Sequence, residues 1–198
     1  MATATGEIAE QYLTFLLAGE EYAIDILKVK EIIEYDTVTT VPKTPVWIRG
    51  VINLRGSVVP VVDVGLKFGM EERPITRTTC IVIVEGDWTG QHAFMGVMAD
   101  SVSQVMDLVS GEIREVPEFG TRIRVDYLKG MAHLGKKFVL LLDIDKILSL
   151  DEMLDLNEAV TTVLENDSNA ALPGPHEAGP ILEEDTGAPP QRSTGKKQ

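Results

Sequence analysis

Three histidines, one cysteine and 31 carboxylates are the groups in this 198-residue chain that could ligate a metal, attack an electrophile or move a proton. Their spacing gives little support to any of these. His92 and His133 have no neighbouring Cys, His or Asp at metal-ligand spacing, and His176 lies in a low-complexity stretch. There is no G-x-S-x-G turn to present a nucleophilic serine and no G-x-x-x-x-G-K-[ST] loop to cradle a phosphate. Asp63 and Asp143 end two apolar runs and could form a carboxylate pair on a pseudo-twofold axis. The simpler reading is that each bonds local backbone amides where its strand ends. Cys80 sits inside an apolar run and reads as a small core residue.

One polar group stands out by its setting. In "GVINLRGSVVPVVDV" (50–64), Val51–Leu54 and Val58–Val64 read as two buried strands, with Arg55 and Gly56 at the turn. A guanidinium there points its five donors at solvent or at a partner. A solvated surface charge is the commoner fate of a lone arginine, and an interface anchor is the alternative. "LKVKEIIE" (27–34), read as a strand, puts Val29, Glu31 and Ile33 on one face and Lys28, Lys30 and Ile32 on the other. From its residues alone, it is an edge strand guarded by charge.

These residues need a scaffold, and the composition provides for one. Apolar residues make up 44% of the chain, enough to bury a sizeable core in one domain of about 150 residues. The net charge of −13 argues against nucleic acid and against anionic membrane surfaces. A single cysteine allows no internal disulfide, which suits a reducing compartment. "MATATGEIAEQ" is not a signal peptide, and no run reaches the ~18 apolar residues a membrane span needs. A soluble cytoplasmic protein is expected.

Strands dominate the expected structure. "QYLTFLLAG" and "EYAIDI" flank a turn at Gly19-Glu20, while "TTCIVIVEG" and "KFVLLLDI" read as buried strands. Ile147, Leu150, Met153, Leu156, Val160 and Val163 recur at helical spacing, and Ser149-x-x-Glu152 has the form of a capping box. A helix over 150–165 is predicted. Residues 166–198 are rich in Pro, Gly, Ala, Glu and Ser, and are expected to be a disordered tail. That tail carries a net charge of −2, so the remaining −11 belongs to the folded part.

An internal repeat organises the strands. "IDILKVKEIIE" (24–34) aligns with "VMADSVSQVMD" (97–107), and "IRGVINLRGSVVPVVDV" (48–64) with "LKGMAHLGKKFVLLLDI" (128–144). "TVP" (40–42) has its counterpart in "EVP" (115–117). Two copies of a strand-rich unit predict two small β-barrels packed together. Asn53, Arg55 and Pro60 are replaced in the second copy by His133, Gly135 and Leu140. The fold therefore does not require an arginine at that turn.

The segments "FLLAGEEYAIDILKVKEIIE", "TPVWIRGVINLRGSVVPVVDV", "GVMADSVSQVM" and "YLKGMAHLGKKFVLLLDIDKIL" resemble the CheW family of chemotaxis coupling proteins over about residues 12–156. The resemblance implies a mainly β fold: two SH3-like five-stranded β-barrel subdomains related by a pseudo-twofold repeat, plus a C-terminal helix. The expected layout is an N-terminal extension (1–11) and a CheW-like domain (12–156). Its first copy spans about 20–66 and its second about 94–146, with strands exchanged between them. The amphipathic helix (150–165) and the tail (166–198) follow. The implied role is a non-enzymatic adaptor, without cofactor or metal. It would couple the cytoplasmic tip of chemoreceptors to the regulatory domain of a CheA-type histidine kinase, in the cytoplasm at receptor clusters. A scaffold of another chemosensory pathway, such as surface motility, is the alternative. The resemblance assigns partner contact to Arg55, Val29, Glu31, Asn53, Ile81, Val102 and Val105, with Val102, Val105 and Ile81 as the apolar wall of a groove for a receptor helix. A different class of reading, a β-barrel enzyme using Asp63 and Asp143, would need both carboxylates strongly perturbed in one cleft.

Overall fold

The computed structural model of the protein describes residues 9–36, 38–88, 91–117 and 123–169. Among the described residues, ten strands form two five-stranded sheets. The first sheet joins β1 (Glu10–Leu17), β2 (Glu20–Asp25), β8 (Ser101–Leu108), β9 (Leu128–Leu134) and β10 (Lys137–Leu142), in the order β8-β1-β2-β10-β9. The second joins β3 (Val29–Glu34), β4 (Ile48–Leu54), β5 (Ser57–Val62), β6 (Cys80–Trp88) and β7 (Gln91–Ala99), in the order β3-β6-β7-β5-β4. The sheets do not follow the chain's two halves. β1 and β2 pair with strands of the second half, and β10 runs parallel to β2 through Leu140 and Tyr22.

The turn between β1 and β2 is Ala18-Gly19, one residue earlier than Gly19-Glu20. Both turn residues have positive φ, 52° and 78°, as a two-residue hairpin turn matching the strand twist requires. Lys28 also departs from expectation. It belongs to a single 3-10 turn, Ile26–Lys28, which Asp25 caps by accepting from the Leu27 N–H, and β3 begins only at Val29.

The repeat is visible as geometry. In each copy a hairpin (β4–β5, β9–β10) leads into a one-turn helix, α1 (Val64–Lys67) or α2 (Ile144–Ile147). The N–H of Asp63 donates to the Trp47 carbonyl and that of Asp143 to the Tyr127 carbonyl, both at 2.8 Å. Thr39 bridges to Val51 and Arg114 to Met131. Each bridge lies against a glycine: a Cβ on Gly50 would stand 2.1 Å from the Thr39 carbonyl oxygen, and one on Gly130 2.8 Å from that of Arg114.

Three apolar clusters fill the interior. A central one includes Phe15, Tyr22, Val82, Val97, Ile144 and Leu156, with residues from both sheets. Tyr12, Met106, Val139 and Leu141 form a core within the first sheet, and Ile52, Val59, Ile81 and Ile83 one within the second. The connector between α1 and β6 adds a partly buried ionic tie. Arg73 bonds Asp100 at 2.8 Å and Asp63 at 3.3 Å, and Asp100 in turn accepts from the Ala18 N–H. This links the start of α1 to the β1–β2 turn of the other sheet.

α3 spans Leu150–Asn169, four residues beyond the predicted end, so residues 166–169 of the expected tail are helical. The capping box is present: Ser149 N–H donates to Glu152 Oε2 and Glu152 N–H to Ser149 Oγ. Met153 and Leu156 are buried in the central cluster. Residues 170–198 of the expected tail lie outside the described residues. Among the described residues, no helix is long and apolar enough to cross a membrane.

Candidate functional site: the arginine hairpin and two outer strands

The β4–β5 turn holds its arginine in an unusual backbone conformation. Arg55 has φ 53° and Gly56 φ 90°, so both sit in the left-handed region. For a residue with a Cβ this costs roughly 1–2 kcal/mol. The equivalent hairpin of the second copy places Gly135 (φ 62°) there, which avoids the strain. Asn53 Oδ1 accepts from the Gly56 N–H at 2.8 Å, so its observed contact is support of the turn. The Arg55 side chain is 81% exposed, and its Nη2 pairs with Glu31 Oε2 at 2.8 Å.

Glu31 lies on β3, one of the two edge strands of the second sheet. The β3–β6 register shifts between Val29 and Glu31, so their side chains are not related by simple alternation. Val29 is half-buried and packs on the central cluster, while Ile32 is 44% exposed. Through the repeat, Val29 and Ile32 correspond to Val102 and Val105 on β8, one of the two edge strands of the first sheet. Val102 likewise packs on the central cluster, and Val105 is 47% exposed. Two outer strands thus present matched apolar positions, but only β3 carries a carboxylate paired with a hairpin arginine.

Ile81 is 1% exposed and packs with Ile52, Val59, Val61 and Ile83 inside the second sheet. It also lines a shallow concavity together with Ile33, Ile52, Asn53, Glu34 and Thr39, with almost no accessible surface of its own. Cys80, its neighbour, points the other way, half-buried on the central cluster. Burial pushes its thiol pKa up, the nearby Asp100 charge adds to this, and a backbone hydrogen bond from Val102 partly opposes it.

The other groups with chemical potential have structural partners. Asp63 is buried and caps α1 by accepting from the Leu66 N–H at 3.0 Å, besides meeting Arg73. Asp143 precedes α2 and pairs with Lys146 at 3.0 Å. His133 packs in a tilted arrangement against the exposed Phe138, with ring centroids 4.3 Å apart. Trp88 is buried in the central cluster. Trp47 is half-buried, with Lys67 Nζ 4.0 Å from its ring centroid. Lys67 also reaches Glu152 at 2.5 Å, which fastens the start of α3 to α1.

Sequence reasoning singled out Arg55 and Glu31 separately and missed their pairing. A signal was available: in the second copy Glu31 aligns with Gln104 and Arg55 with Gly135, so both charges are absent together. The Arg73–Asp63–Asp100 tie gave no such signal. Arg73 is one polar residue in a polar connector, and only the fold brings two distant aspartates to it.

Residues 11–152 match the CheW-like domain family. The chemotaxis protein CheW of Klebsiella aerogenes is 40% identical over 146 residues, covering 74% of this chain and 86% of that protein. The Bacillus subtilis chemotaxis protein CheW is 34% identical over 116 residues, covering 59% of this chain and 72% of that protein. Among solved structures, the scaffolding protein TtCheW from Thermoanaerobacter tengcongensis aligns with a TM-score of 0.66 at 28% identity, over 77% of this chain and 96% of that one.

Proposed function

The chain belongs to the CheW-like domain family, and from that membership we propose that it is a non-enzymatic adaptor of bacterial chemotaxis signalling, joining chemoreceptors to a CheA-type histidine kinase. It would act in the cytoplasm, at receptor clusters on the inner face of the membrane. The observation that carries the receptor contact is the backbone of Arg55. An arginine held with φ 53°, where the repeat uses glycine, is strained without benefit to the fold and presents its guanidinium to solvent.

In this reading the receptor presents a helix. Val102 and Val105 contribute apolar contact from β8, Val29 contributes from β3, and Arg55 supplies the charged anchor, oriented by Glu31. Asn53 acts indirectly by fixing the turn that carries Arg55. The kinase would bind elsewhere on the two sheets, so both partners are held at once. The test is co-sedimentation of the purified chain with receptor-containing membranes, with and without a CheA-type kinase. The adaptor reading expects the chain in the membrane pellet and more kinase pelleted in its presence. A chain that stays in the supernatant and recruits no kinase contradicts it.

A further inference from the structure

A second concavity lies away from the arginine hairpin. The segment Pro42–Trp47 and the first half of α3 enclose a groove of about 620 Å³. Pro42, Pro45 and Trp47 form one wall, with Asp155 and Glu158 on the opposing helix. Asp155 and Glu158 are exposed. α3 carries six carboxylates, at positions 151, 152, 155, 158, 165 and 167, and neither lysine nor arginine. Lys43 also lines the proline–tryptophan wall and Lys67 Nζ lies 4.0 Å over the Trp47 ring, so the negative charge of the groove comes from the helix wall alone. A peptide that fits it presents proline and positive charge.

The chain itself contains such a peptide. Of residues 170–198, the four carboxylates all lie at 177–185, while the three bases, Arg192, Lys196 and Lys197, follow Pro189-Pro190. We propose that segment 187–198 docks in this groove of the same molecule. Pro189 and Pro190 pack on Trp47, as extended proline segments do on aromatic surfaces. Arg192, Lys196 and Lys197 pair with Asp155 and Glu158. The reach is adequate. From Glu158 to the end of α3 at Asn169 is roughly 17 Å of helix. The 21 residues between Asn169 and Gln191 span about 25 Å as a flexible chain. A tether matched to its span gives an effective concentration on the order of millimolar, so weak contacts suffice.

The full-length chain provides the test. A nitroxide is placed at Ser193→Cys in a Cys80→Ala background, and amide signals of the isotopically labelled protein are compared before and after reduction of the label. The expected result is intensity loss at Lys43, Thr44, the Trp47 indole and Asp155. It should disappear when Arg192, Lys196 and Lys197 are all replaced by glutamate, changes outside the folded region that leave its spectrum otherwise intact. Mixing spin-labelled unenriched chain with unlabelled enriched chain separates the sources. Loss at these residues in the mixed sample means that a second copy occupies the groove and overturns the intramolecular proposal. Absence of loss at these residues, or loss unchanged by the charge reversal, overturns it too.

Discussion

Arg55 Nη2 lies 2.8 Å from Glu31 Oε2, which ties the tip of the β4–β5 hairpin to β3, the edge strand at the other end of the same sheet's strand order. The pair is too exposed to hold the fold. A surface ion pair contributes about 0–1 kcal/mol, while the left-handed backbone at Arg55 costs roughly 1–2 kcal/mol. The arginine is thus at best neutral for stability. Its pairing with Glu31 aims the guanidinium along β3, where an incoming partner would meet it.

Replacing Arg55 with a residue suited to its backbone therefore leaves the fold intact. Asn-Gly is the preferred pair for a two-residue turn with both φ positive. Arg55→Asn is expected to match or exceed the wild-type stability, by up to about 1 kcal/mol, in urea unfolding. A loss of more than about 1 kcal/mol would show that the ion pair is structural after all.

Ile81 and Val105 separate core from surface. Ile81→Ala should cost about 2–5 kcal/mol by leaving a cavity inside the second sheet. Val105→Ala should cost no more than about 0.5 kcal/mol yet weaken receptor binding. Unfolding midpoints and membrane pelleting of both variants decide this. A stable Ile81→Ala with specifically lost receptor binding would place Ile81 in the contact surface.

Gly50 is predicted to be intolerant of any side chain. Its φ is 139°, and a Cβ would press on the Thr39 carbonyl, a backbone atom that cannot swing aside. Gly50→Ala should break the Thr39–Val51 bridge and cost about 3 kcal/mol or more. Thermal unfolding measures it, and a variant with unchanged Tm would refute the close approach.

Acid should loosen α3 first. Partial burial raises the Glu152 carboxyl pKa, but the hydrogen bonds from Lys67 and Ser149 outweigh this and hold it below its ordinary value. Asp145 is likewise depressed: Lys28 and the Asp87 N–H outweigh its burial. A depressed folded pKa gives stability that is present above the ordinary carboxylate range, about 4, and is lost as pH falls through the folded value. Melting temperatures should therefore fall below pH ~4, and Glu152→Gln should flatten that decline. An identical acid limb in the variant would remove Glu152 from the account.

Most of the fold was legible because period and repeat are written in the chain. The apolar run of β6 and the capping box at Ser149 are local signals. The pairing of 48–64 with 128–144 is self-similarity that needs no partner sequence. Pairings made only in three dimensions were not legible. Nothing near Arg73 announces Asp63 or Asp100, and nothing near Lys67 announces Trp47 and Glu152 at once. Burial of Ile81 was hidden for a related reason: in a strand apolar on both faces, alternation no longer tells which side is covered. The site was half legible, since the repeat isolates Arg55 but gives no distance to Glu31.

The most direct measurement compares wild type and Arg55→Glu in co-sedimentation with receptor-containing membranes and, separately, with a CheA-type kinase. The charge reversal places a carboxylate at the tip of the hairpin, facing that of Glu31 on β3, and leaves the core untouched. The account predicts a folded variant that retains the kinase and loses the receptor, with affinity down by about 2 kcal/mol or more. A folded variant that sediments with receptors as the wild type does would contradict the assignment of Arg55 as the receptor anchor.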